Sequence, residues 1–296
     1  MRRTPPALEQ LWTVMDIVRW ATEYFTHKGV DSPRLTIELM LCAVLDVTRI
    51  RLYTDYERPL IKDELAKLRG MVQRRALHEP LQYILGAADF YGLSFTVNSD
   101  VLIPRPETEI LVERCIRTLT GLGPVRCLDV GTGSGCIAIT VARYVVDTQW
   151  TAIDISRGAV SVAGENAQNL EVADRVHVLQ ADIRTYVPES LYDVLVMNPP
   201  YIPSAEVPTL DANVRDYEPH AALTDDADGL TFYRTLVERA DVLVKENAWI
   251  FLEIGHGQAG DVQEIFHGGG FTIDILNDLE NIPRVGVVRR HAITIT

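Results

Sequence analysis

The sequence predicts an α/β protein in which helices flank a mostly parallel sheet of seven strands and a small helical domain precedes the sheet. Three observations predict this class. From residue 125 onward, apolar segments typical of strands alternate with helical segments, which favours a parallel sheet covered on both faces. Within residues 1–85, several segments show helical spacing of their apolar side chains. A short, aromatic, alternating segment separates these two parts.

The first 85 residues are expected to form the helical domain. Apolar side chains recur at helical spacing over residues 7–28, and Gly29 follows as a stop signal. The Asp-Ser-Pro segment at 31–33 indicates the start of a second helix, and residues 63–76 predict a third. We interpret the apolar faces of these helices as the core of a small bundle.

Residues 86–100 predict a β-hairpin that connects the two domains, because short aromatic alternation surrounds Gly92. The remaining residues, 101–296, would form the second domain. Its predicted strands are 126–130, 151–155, 176–180, 194–197, 249–254, 271–275 and a late antiparallel strand at 287–294.

The charge distribution argues against a nucleic-acid substrate. The whole chain has a net charge of −13. Residues 1–80 carry 13 basic and 11 acidic side chains, whereas residues 81–296 carry 15 basic and 30 acidic ones, a net charge of −15. Sequence-independent affinity for DNA or RNA comes mainly from Lys and Arg that neutralise phosphates. The acidic second part is therefore poorly suited to a bulk nucleic acid.

Other classes of protein are disfavoured by what the sequence lacks. Its apolar runs are shorter than the ~18 residues that a membrane helix needs, and no apolar signal segment follows the N-terminus. The seven histidines show no ligand spacing. We therefore expect a cytoplasmic protein with free thiols and no metal site. The cysteines, which form no CxxC pair, are Cys42, Cys115, Cys127 and Cys136.

A glycine-rich turn follows the first strand of the second domain. Residues 129–136 read Asp-Val-Gly-Thr-Gly-Ser-Gly-Cys and lead from an apolar strand into a helix. Glycines let a backbone approach a ligand closely, and the helix N-terminus behind the turn favours negative charge. We therefore predict a nucleotide-containing cofactor here. The residues of the turn are Gly131, Thr132, Gly133, Ser134 and Gly135.

Acidic residues at two later strand ends fit such a cofactor. Asp154 lies about 20 residues after the turn, where a carboxylate accepts hydrogen bonds from ribose hydroxyls. Asp182 follows the third predicted strand, and in this fold class it would meet an adenine amino group while Ile183 lines the ring. The dinucleotide fingerprint requires Gly or Ala at position 136. Cys136 stands there, which disfavours a nicotinamide cofactor.

The most informative segment is Asn198-Pro199-Pro200-Tyr201, directly after the apolar strand that ends at Met197. Its two prolines have nearly fixed φ and no backbone donors, so the turn is rigid. Ligands bind at the carboxyl edge of an α/β sheet, where this turn would lie.

This segment suits methyl transfer to a planar nitrogen, such as an amide or an arylamine. Such a nitrogen is a poor nucleophile because its lone pair is delocalised. The Asn198 side-chain oxygen and the Pro199 carbonyl would each accept one of its N–H groups, and Tyr201 would stack on the planar group. Catalysis would then come from orientation and electrostatics, with no strong general base.

These motifs together resemble the HemK/PrmC family, the protein-(glutamine-N5) methyltransferases that act on peptide chain release factors. The turn, with Asp129 two residues before its first glycine, is similar to motif I of S-adenosylmethionine (SAM)-dependent methyltransferases. In a late segment, Asn281 stands where the family often has glycine, and Asn tolerates the same left-handed backbone. The other segments that carry the resemblance are 79–86, 102–109, 217–230 and 252–258.

The resemblance implies a class I SAM-dependent methyltransferase with a Rossmann-like sheet. It would transfer a methyl group from SAM to the glutamine side-chain amide in the Gly-Gly-Gln loop of class 1 release factors, a step in preparing translation termination, and would leave S-adenosylhomocysteine. The implied cofactor-binding residues are the five of the glycine turn, Asp154, Asp182, Ile183 and Asn198. The implied catalytic and substrate-binding residues are Asn198, Pro199, Pro200 and Tyr201, and the substrate site also includes Arg105 and Glu107. Together with Thr108, these last two would cover the amino-acid end of the cofactor.

The resemblance also implies a partner. The helical domain would engage the body of the release factor, and we expect a monomer that contacts neither membrane nor nucleic acid directly. A loop that later enters ribosomal RNA should sit on a basic surface, which the acidic second domain would complement.

Alternatives to these interpretations stay open. A glutamine of a ribosomal protein would use the same site chemistry. Adenine in DNA is disfavoured by the acidic second part, and a nicotinamide oxidoreductase by Cys136. A non-catalytic SAM sensor or scaffold is disfavoured by the intact Asn-Pro-Pro-Tyr segment. Arg105 and Glu107 also admit a structural interpretation, as an ion pair that braces the hairpin.

Overall fold

The protein, seen in a computed structural model that describes residues 12–290, consists of two compact units with their boundary between Leu85 and Gly86. The helix predicted from residue 7 and the strand predicted to residue 294 therefore lie partly outside the described residues.

The first unit is helical, as the sequence predicts. Its first helix begins after Thr13, whose backbone N–H donates to the Asp16 carboxylate at 3.1 Å while its hydroxyl accepts from the Asp16 N–H at 3.2 Å. This reciprocal capping satisfies two of the free donors at the helix start. Gly29, with φ of 69°, follows the end of this helix, as the predicted stop. The helices are α1 (Val14–His27), α2 (Pro33–Leu45), α3 (Arg49–Thr54), α4 (Lys62–Arg75) and α5 (Leu81–Leu85).

The core of this unit holds one buried carboxylate among aliphatic and aromatic side chains. Glu38 of α2 is 1 % exposed and accepts hydrogen bonds from Arg34 at 2.9 Å, from Arg49 at 2.7 Å and from the Tyr53 hydroxyl at 2.8 Å. Burial by itself would raise the pKa of Glu38, but the three donors outweigh it and hold the pKa below its usual 4.5. Glu38 therefore connects α2 to α3 in its charged form.

The second unit begins with the predicted hairpin. Strands β1 (Ala87–Phe90) and β2 (Leu93–Thr96) pair antiparallel, and the turn residues Tyr91 and Gly92 both have positive φ, of 49° and 75°. Two residues at positive φ form the hairpin turn that matches the twist of the strands.

The sheet of this unit has seven strands in the order β5-β4-β3-β6-β7-β9-β8. Only β9 runs antiparallel to its neighbours within the described residues, so the prediction of a mostly parallel sheet with a late antiparallel strand is confirmed. Asn281, in the turn before β9, has φ of 61°, as expected for a residue in place of glycine. The strands are β3 (Val125–Val130), β4 (Thr148–Asp154), β5 (Val176–Gln180), β6 (Tyr192–Met197), β7 (Val244–Glu253), β8 (Phe271–Asn277) and β9 (Pro283–Arg290).

Two apolar clusters cover the two faces of this sheet. One packs Leu111 and Val141 against Trp150, and the other packs Leu236 and Phe266 against the opposite face. Parallel strands buried on both faces read as continuous apolar runs, which is why the sequence shows them clearly. The helices are α6 (Pro106–Leu119), α7 (Cys136–Tyr144), α8 (Arg157–Asn169), α9 (Ala212–Arg215), α10 (His220–Leu223), α11 (Thr231–Leu243) and α12 (Ala259–Gly268), with a 3-10 turn at Val207–Thr209.

Strand order positions the site. The chain builds β4 and β5 on one side of β3 and then returns to add β6 and β7 on the other side. The order thus reverses between β3 and β6, and in open α/β sheets ligands bind at the carboxyl ends of strands at such a point.

We expect Glu38→Gln to lower the free energy of unfolding by about 1–2 kcal/mol at neutral pH, because hydrogen bonds to a charged acceptor are lost. The pKa of Glu38 is lowered in the folded state, so its contribution is complete above the unfolded pKa and is lost as the pH falls through the folded value. Urea denaturation of the whole chain would measure this, with the exposed Glu57→Gln as a control. An equal effect of Glu38→Gln at pH 7 and at the acid end would contradict it.

Candidate active site

A cleft opens at the carboxyl edge of β3, β4 and β6. Val130, the last residue of β3, pairs with Ile153 on one side and with Met197 on the other. The residues that follow these three strand ends therefore share one edge of the sheet. Predicted site residues that line the cleft are Arg105, Gly131, Thr132, Gly133, Ser134, Asp154, Asp182, Ile183, Asn198, Pro199 and Pro200. Gly135, Glu107 and Tyr201 do not line it.

The backbone conformation of the glycine turn requires glycine. Gly131, Gly133 and Gly135 all have positive φ, between 55° and 81°. A Cβ at Gly133 would meet no atom within 4 Å, so the backbone there borders open space in the cleft. A Cβ at Gly135 would lie 2.6 Å from a methyl of Ile139, so this glycine is needed for packing against α7.

A buried carboxylate supports the turn from below. Asp129 of β3 is fully buried, and its Oδ2 accepts from the Thr132 hydroxyl at 2.7 Å. Burial raises the pKa of Asp129 to about 7. The N–H groups of Gly131 and Thr132 both donate to the Ile153 carbonyl, at 2.9 and 3.0 Å. The turn is thus attached to β3 and to β4.

A second support, which was not predicted from the sequence, is Asn166 of α8. Its Oδ1 accepts from the Thr96 N–H at 2.7 Å, and its Nδ2 donates to the carbonyls of Thr96 at 3.0 Å and Ser134 at 2.9 Å. Asn166 therefore connects the hairpin to the glycine turn. One signal was available: Asn166 lies on the apolar face of α8, beside the buried Ala163 and Ala167.

Asp154 lies where the sequence predicts, at the end of β4 in the cleft wall. Its Oδ2 accepts from the Gly133 N–H and its Oδ1 from the Ser156 N–H, both at 2.9 Å. Burial raises the pKa of Asp154. Each carboxylate oxygen has a second lone pair, so both can still accept from ligand hydroxyls in the cleft.

Asp182 also lines the cleft, but it has a partner that the sequence analysis did not anticipate. The Arg184 guanidinium donates to both of its carboxylate oxygens, at 2.9 and 2.6 Å. This contact lowers the pKa of Asp182. Arg184 itself lines the cleft, so the pair forms one charged border beside Ile183.

The structure separates Arg105 from Glu107. The Arg105 guanidinium pairs with the carboxylate of Glu218, which is 5 % exposed and also accepts from the Ile103 N–H at 3.2 Å. The alternative in which Arg105 pairs with Glu107 is therefore wrong. Glu109 contacts the hairpin instead, since its carboxylate accepts from the Tyr91 N–H at 2.7 Å.

The Asn-Pro-Pro-Tyr segment is attached at both ends to one buried carboxylate. Asn198 Nδ2 donates to the Thr108 hydroxyl at 3.2 Å, and that hydroxyl donates to Glu253 Oε2 at 2.6 Å. The Tyr201 hydroxyl donates to Glu253 Oε1 at 3.1 Å. Burial raises the pKa values of Glu253 and Tyr201. Glu253 had no predicted role in the site, and stacking by Tyr201 on an acceptor stays a prediction.

The backbone carbonyl of Tyr201, directly after the two prolines, is also held by tertiary contacts. Gln258 Nε2 donates to the Tyr201 carbonyl at 2.8 Å. Gly229, with φ of 79°, passes so near that a Cβ there would lie 2.1 Å from the same carbonyl oxygen. Both residues come from segments far along the chain, so tertiary packing fixes the segment.

Among residues 12–290, no group of His, Cys, Asp or Glu could hold a metal ion. Within the same part of the chain, no helix is long and apolar enough to cross a membrane. The four cysteines are free thiols.

Comparison with known proteins gives one consistent result. Residues 16–86 match the PrmC N-terminal domain family, and residues 107–212 match the methyltransferase small domain family. A release factor glutamine methyltransferase of Geobacter sulfurreducens is 40 % identical over 262 residues, which cover 88 % of this chain and 91 % of the relative. One of Chlorobaculum tepidum is 37 % identical over 285 residues, covering 93 % and 97 %.

A solved structure supports the fold. The crystal structure of a methyltransferase from Pyrococcus furiosus matches with a TM-score of 0.50 and 16 % identity, over 77 % of this chain and 98 % of that chain. The predicted class I methyltransferase fold is confirmed.

We expect Gly229→Ala to lower the free energy of unfolding by about 2 kcal/mol or more, because the side chain would require positive φ and would collide with the Tyr201 carbonyl. Gly164→Ala in α8 is the matched control, since a Cβ there meets no atom within 4 Å. That control should keep or raise stability by about 0.5–1 kcal/mol. Chemical denaturation of both variants measures the difference, and equal stability would contradict the close contact.

Proposed function

Because this chain belongs to the release factor glutamine methyltransferase family, we propose that it methylates the glutamine side-chain amide in the Gly-Gly-Gln loop of class 1 release factors, with SAM as methyl donor. One observation carries the proposal: the glycine turn, Asp154 and Asn198 line a single cleft. A cofactor site and an acceptor site for a planar nitrogen are therefore adjacent.

The cleft residues fit SAM. When bound, this cofactor supplies an electrophilic methyl group. The backbone at Gly133 borders open space, and Asp154 keeps free lone pairs for ribose hydroxyls. We assign the ribose to Asp154 and the adenine to the border formed by Asp182 and Ile183. The glycine turn would pass closest to the cofactor, because no atom fills the space beside Gly133.

The acceptor nitrogen would be held by Asn198 and Pro199. Asn198 uses its Nδ2 on Thr108, which leaves its Oδ1 to accept one N–H of the substrate amide. The Pro199 carbonyl would accept the other. These two contacts orient the nitrogen and increase its electron density as it attacks. The methylated amide nitrogen then loses a proton readily, so no side chain has to act as a strong base.

Support for the remaining predicted site residues is uneven. Pro200 lines the cleft, and Tyr201 is attached to Glu253 just behind it. Arg105 lines the cleft beside Thr108, which favours a place for it in the substrate site. Glu107 does not line the cleft, and no contact in the structure supports a role for it there.

We also propose a release factor as the protein partner of the first unit. The match of residues 16–86 to the PrmC N-terminal domain family supports this. The net charge of −15 on residues 81–296 favours a basic surface around the substrate loop. We expect a cytoplasmic enzyme that acts as a monomer on the free factor.

Mass spectrometry of a class 1 release factor after incubation with this enzyme and SAM tests the function. We expect the Gly-Gly-Gln peptide to gain the mass of one methylene. Ribosomal proteins in a parallel reaction serve as competing substrates. Methylation of a ribosomal protein with none on the release factor would overturn the proposed substrate.

We expect Asn198→Ala to slow methyl transfer by about 100-fold or more, because removal of one preorganised contact costs that much in comparable sites. SAM affinity should stay within about twofold, since the contact assigned to Asn198 is to the acceptor. Radiolabelled methyl transfer and calorimetry measure these two quantities. Full activity would contradict the assignment.

Asp154→Asn should weaken SAM binding by roughly 10- to 100-fold, because the amide keeps only one acceptor oxygen and a hydrogen bond to a charged group contributes about 1.5–3 kcal/mol. The exposed Asp147→Asn in the same unit is the control and should bind normally. Calorimetric affinities equal for both variants would exclude Asp154 as the ribose ligand.

A further inference from the structure

A chain of buried hydrogen bonds runs beneath the Asn-Pro-Pro-Tyr segment. It passes from Asn198 to the Thr108 hydroxyl at 3.2 Å, then to Glu253 at 2.6 Å, and from Glu253 to the Tyr201 hydroxyl at 3.1 Å. Thr108 and Glu253 are each 2 % exposed. Thr108 comes from the first turn of α6 and Glu253 from the end of β7, so the chain depends on the folded sheet.

We propose that Thr108 and Glu253 are positioning residues that orient the Asn198 side-chain amide with its oxygen towards the acceptor nitrogen. This inference rests on the proposed function, because it concerns how the substrate glutamine is held. Neither residue needs to touch the substrate.

The direction of each hydrogen bond follows from the groups involved. A threonine hydroxyl has one hydrogen, and the short contact to Glu253 uses it. The remaining lone pairs of this hydroxyl can only accept, so the NH2 end of Asn198 must face it. The Asn198 oxygen is then on the opposite side of the amide, where an incoming N–H can donate to it.

The opposite orientation of the Asn198 side-chain amide is unfavourable for two reasons. It would place the amide oxygen against a hydroxyl oxygen whose hydrogen is already used. It would also present an NH2 group to the N–H groups of the substrate. A buried polar group without its partner costs about 1–3 kcal/mol. The chain of buried hydrogen bonds therefore favours the Asn198 orientation that binds the acceptor nitrogen.

The same carboxylate controls the other end of the segment. Tyr201 donates its hydroxyl to the second oxygen of Glu253, and Gln258 donates to the Tyr201 backbone carbonyl at 2.8 Å. Two charged groups of neighbouring elements also affect the pKa of Glu253: Glu107 raises it and Arg284 lowers it. Burial of a carboxylate is costly, and an apolar side chain would fill a core position at lower cost. This carboxylate provides two acceptor oxygens, which fix the directions of the Thr108 and Tyr201 hydroxyl groups.

Two substitutions at Thr108 separate positioning from packing. Thr108→Val keeps the volume and removes the hydroxyl, whereas Thr108→Ser keeps the hydroxyl and removes a methyl group. If Thr108 orients Asn198, Thr108→Val should lower kcat by about 10- to 100-fold, and Thr108→Ser should stay within about threefold of the unchanged enzyme. A packing role predicts the reverse order.

Further readouts exclude indirect effects. SAM affinity by calorimetry should stay within about twofold in both Thr108 variants. In an Asn198→Ala background, Thr108→Val should cause no additional loss, because its effect acts through Asn198. Glu253→Met removes both acceptor oxygens at similar length and should lower kcat as Thr108→Val does, which keeps the test available if one variant does not fold.

The outcomes are distinct. Wild-type kcat in folded Thr108→Val or Glu253→Met overturns the positioning role, as does an additive loss in the Asn198→Ala background. Failure of the unchanged enzyme to methylate the Gly-Gly-Gln peptide overturns the proposed function instead, before any variant is compared.

Discussion

Parallel pairing of β3 with β6 is the constraint on which the site depends. Val130 and Met197 end these strands in register, at the point where the strand order reverses. The glycine turn and the Asn-Pro-Pro segment are 68 positions apart along the chain, counted from Gly131 to Pro199, yet they leave the sheet side by side. A slip by one residue would move every side chain of a strand to the opposite face of the sheet, so the packing on both faces holds this register. The positions of two loops thus follow from the burial of two strands.

Buried polar groups then hold the loops that leave this edge. Asp129 and Asn166 support the glycine turn, and Glu253 supports the Asn-Pro-Pro-Tyr segment through hydroxyl donors. Each of these side chains is buried, and its burial is tolerable because hydrogen bonds replace those to water. Such bonds have a direction as well as a length, so they fix which atom of a side chain faces the cleft. Apolar packing alone supplies no such direction.

Much of this arrangement was visible in the sequence for local reasons. Strands buried on both faces appear as apolar runs, so all seven were predicted, although their ends differ by a few residues. Glycines at positive φ and consecutive prolines also act within a few residues of chain, which is why both turns were predicted. Contacts between distant residues left weaker signals. The ion pair of Arg105 with Glu218 joins residues more than a hundred positions apart, whereas the partner suggested by the sequence was the nearby Glu107.

The sequence by itself determined the class of fold, the turn that suits a nucleotide-containing cofactor and the segment that suits a planar nitrogen, because each depends on local backbone preference and hydrophobic spacing. Only the tertiary structure decided which groups support them. Thr108 and Glu253 meet Asn198 and Tyr201 because α6 and the end of β7 pack against the same sheet edge. Hydrogen bonds between residues this far apart depend on the packed positions of whole elements, which no single stretch of sequence encodes.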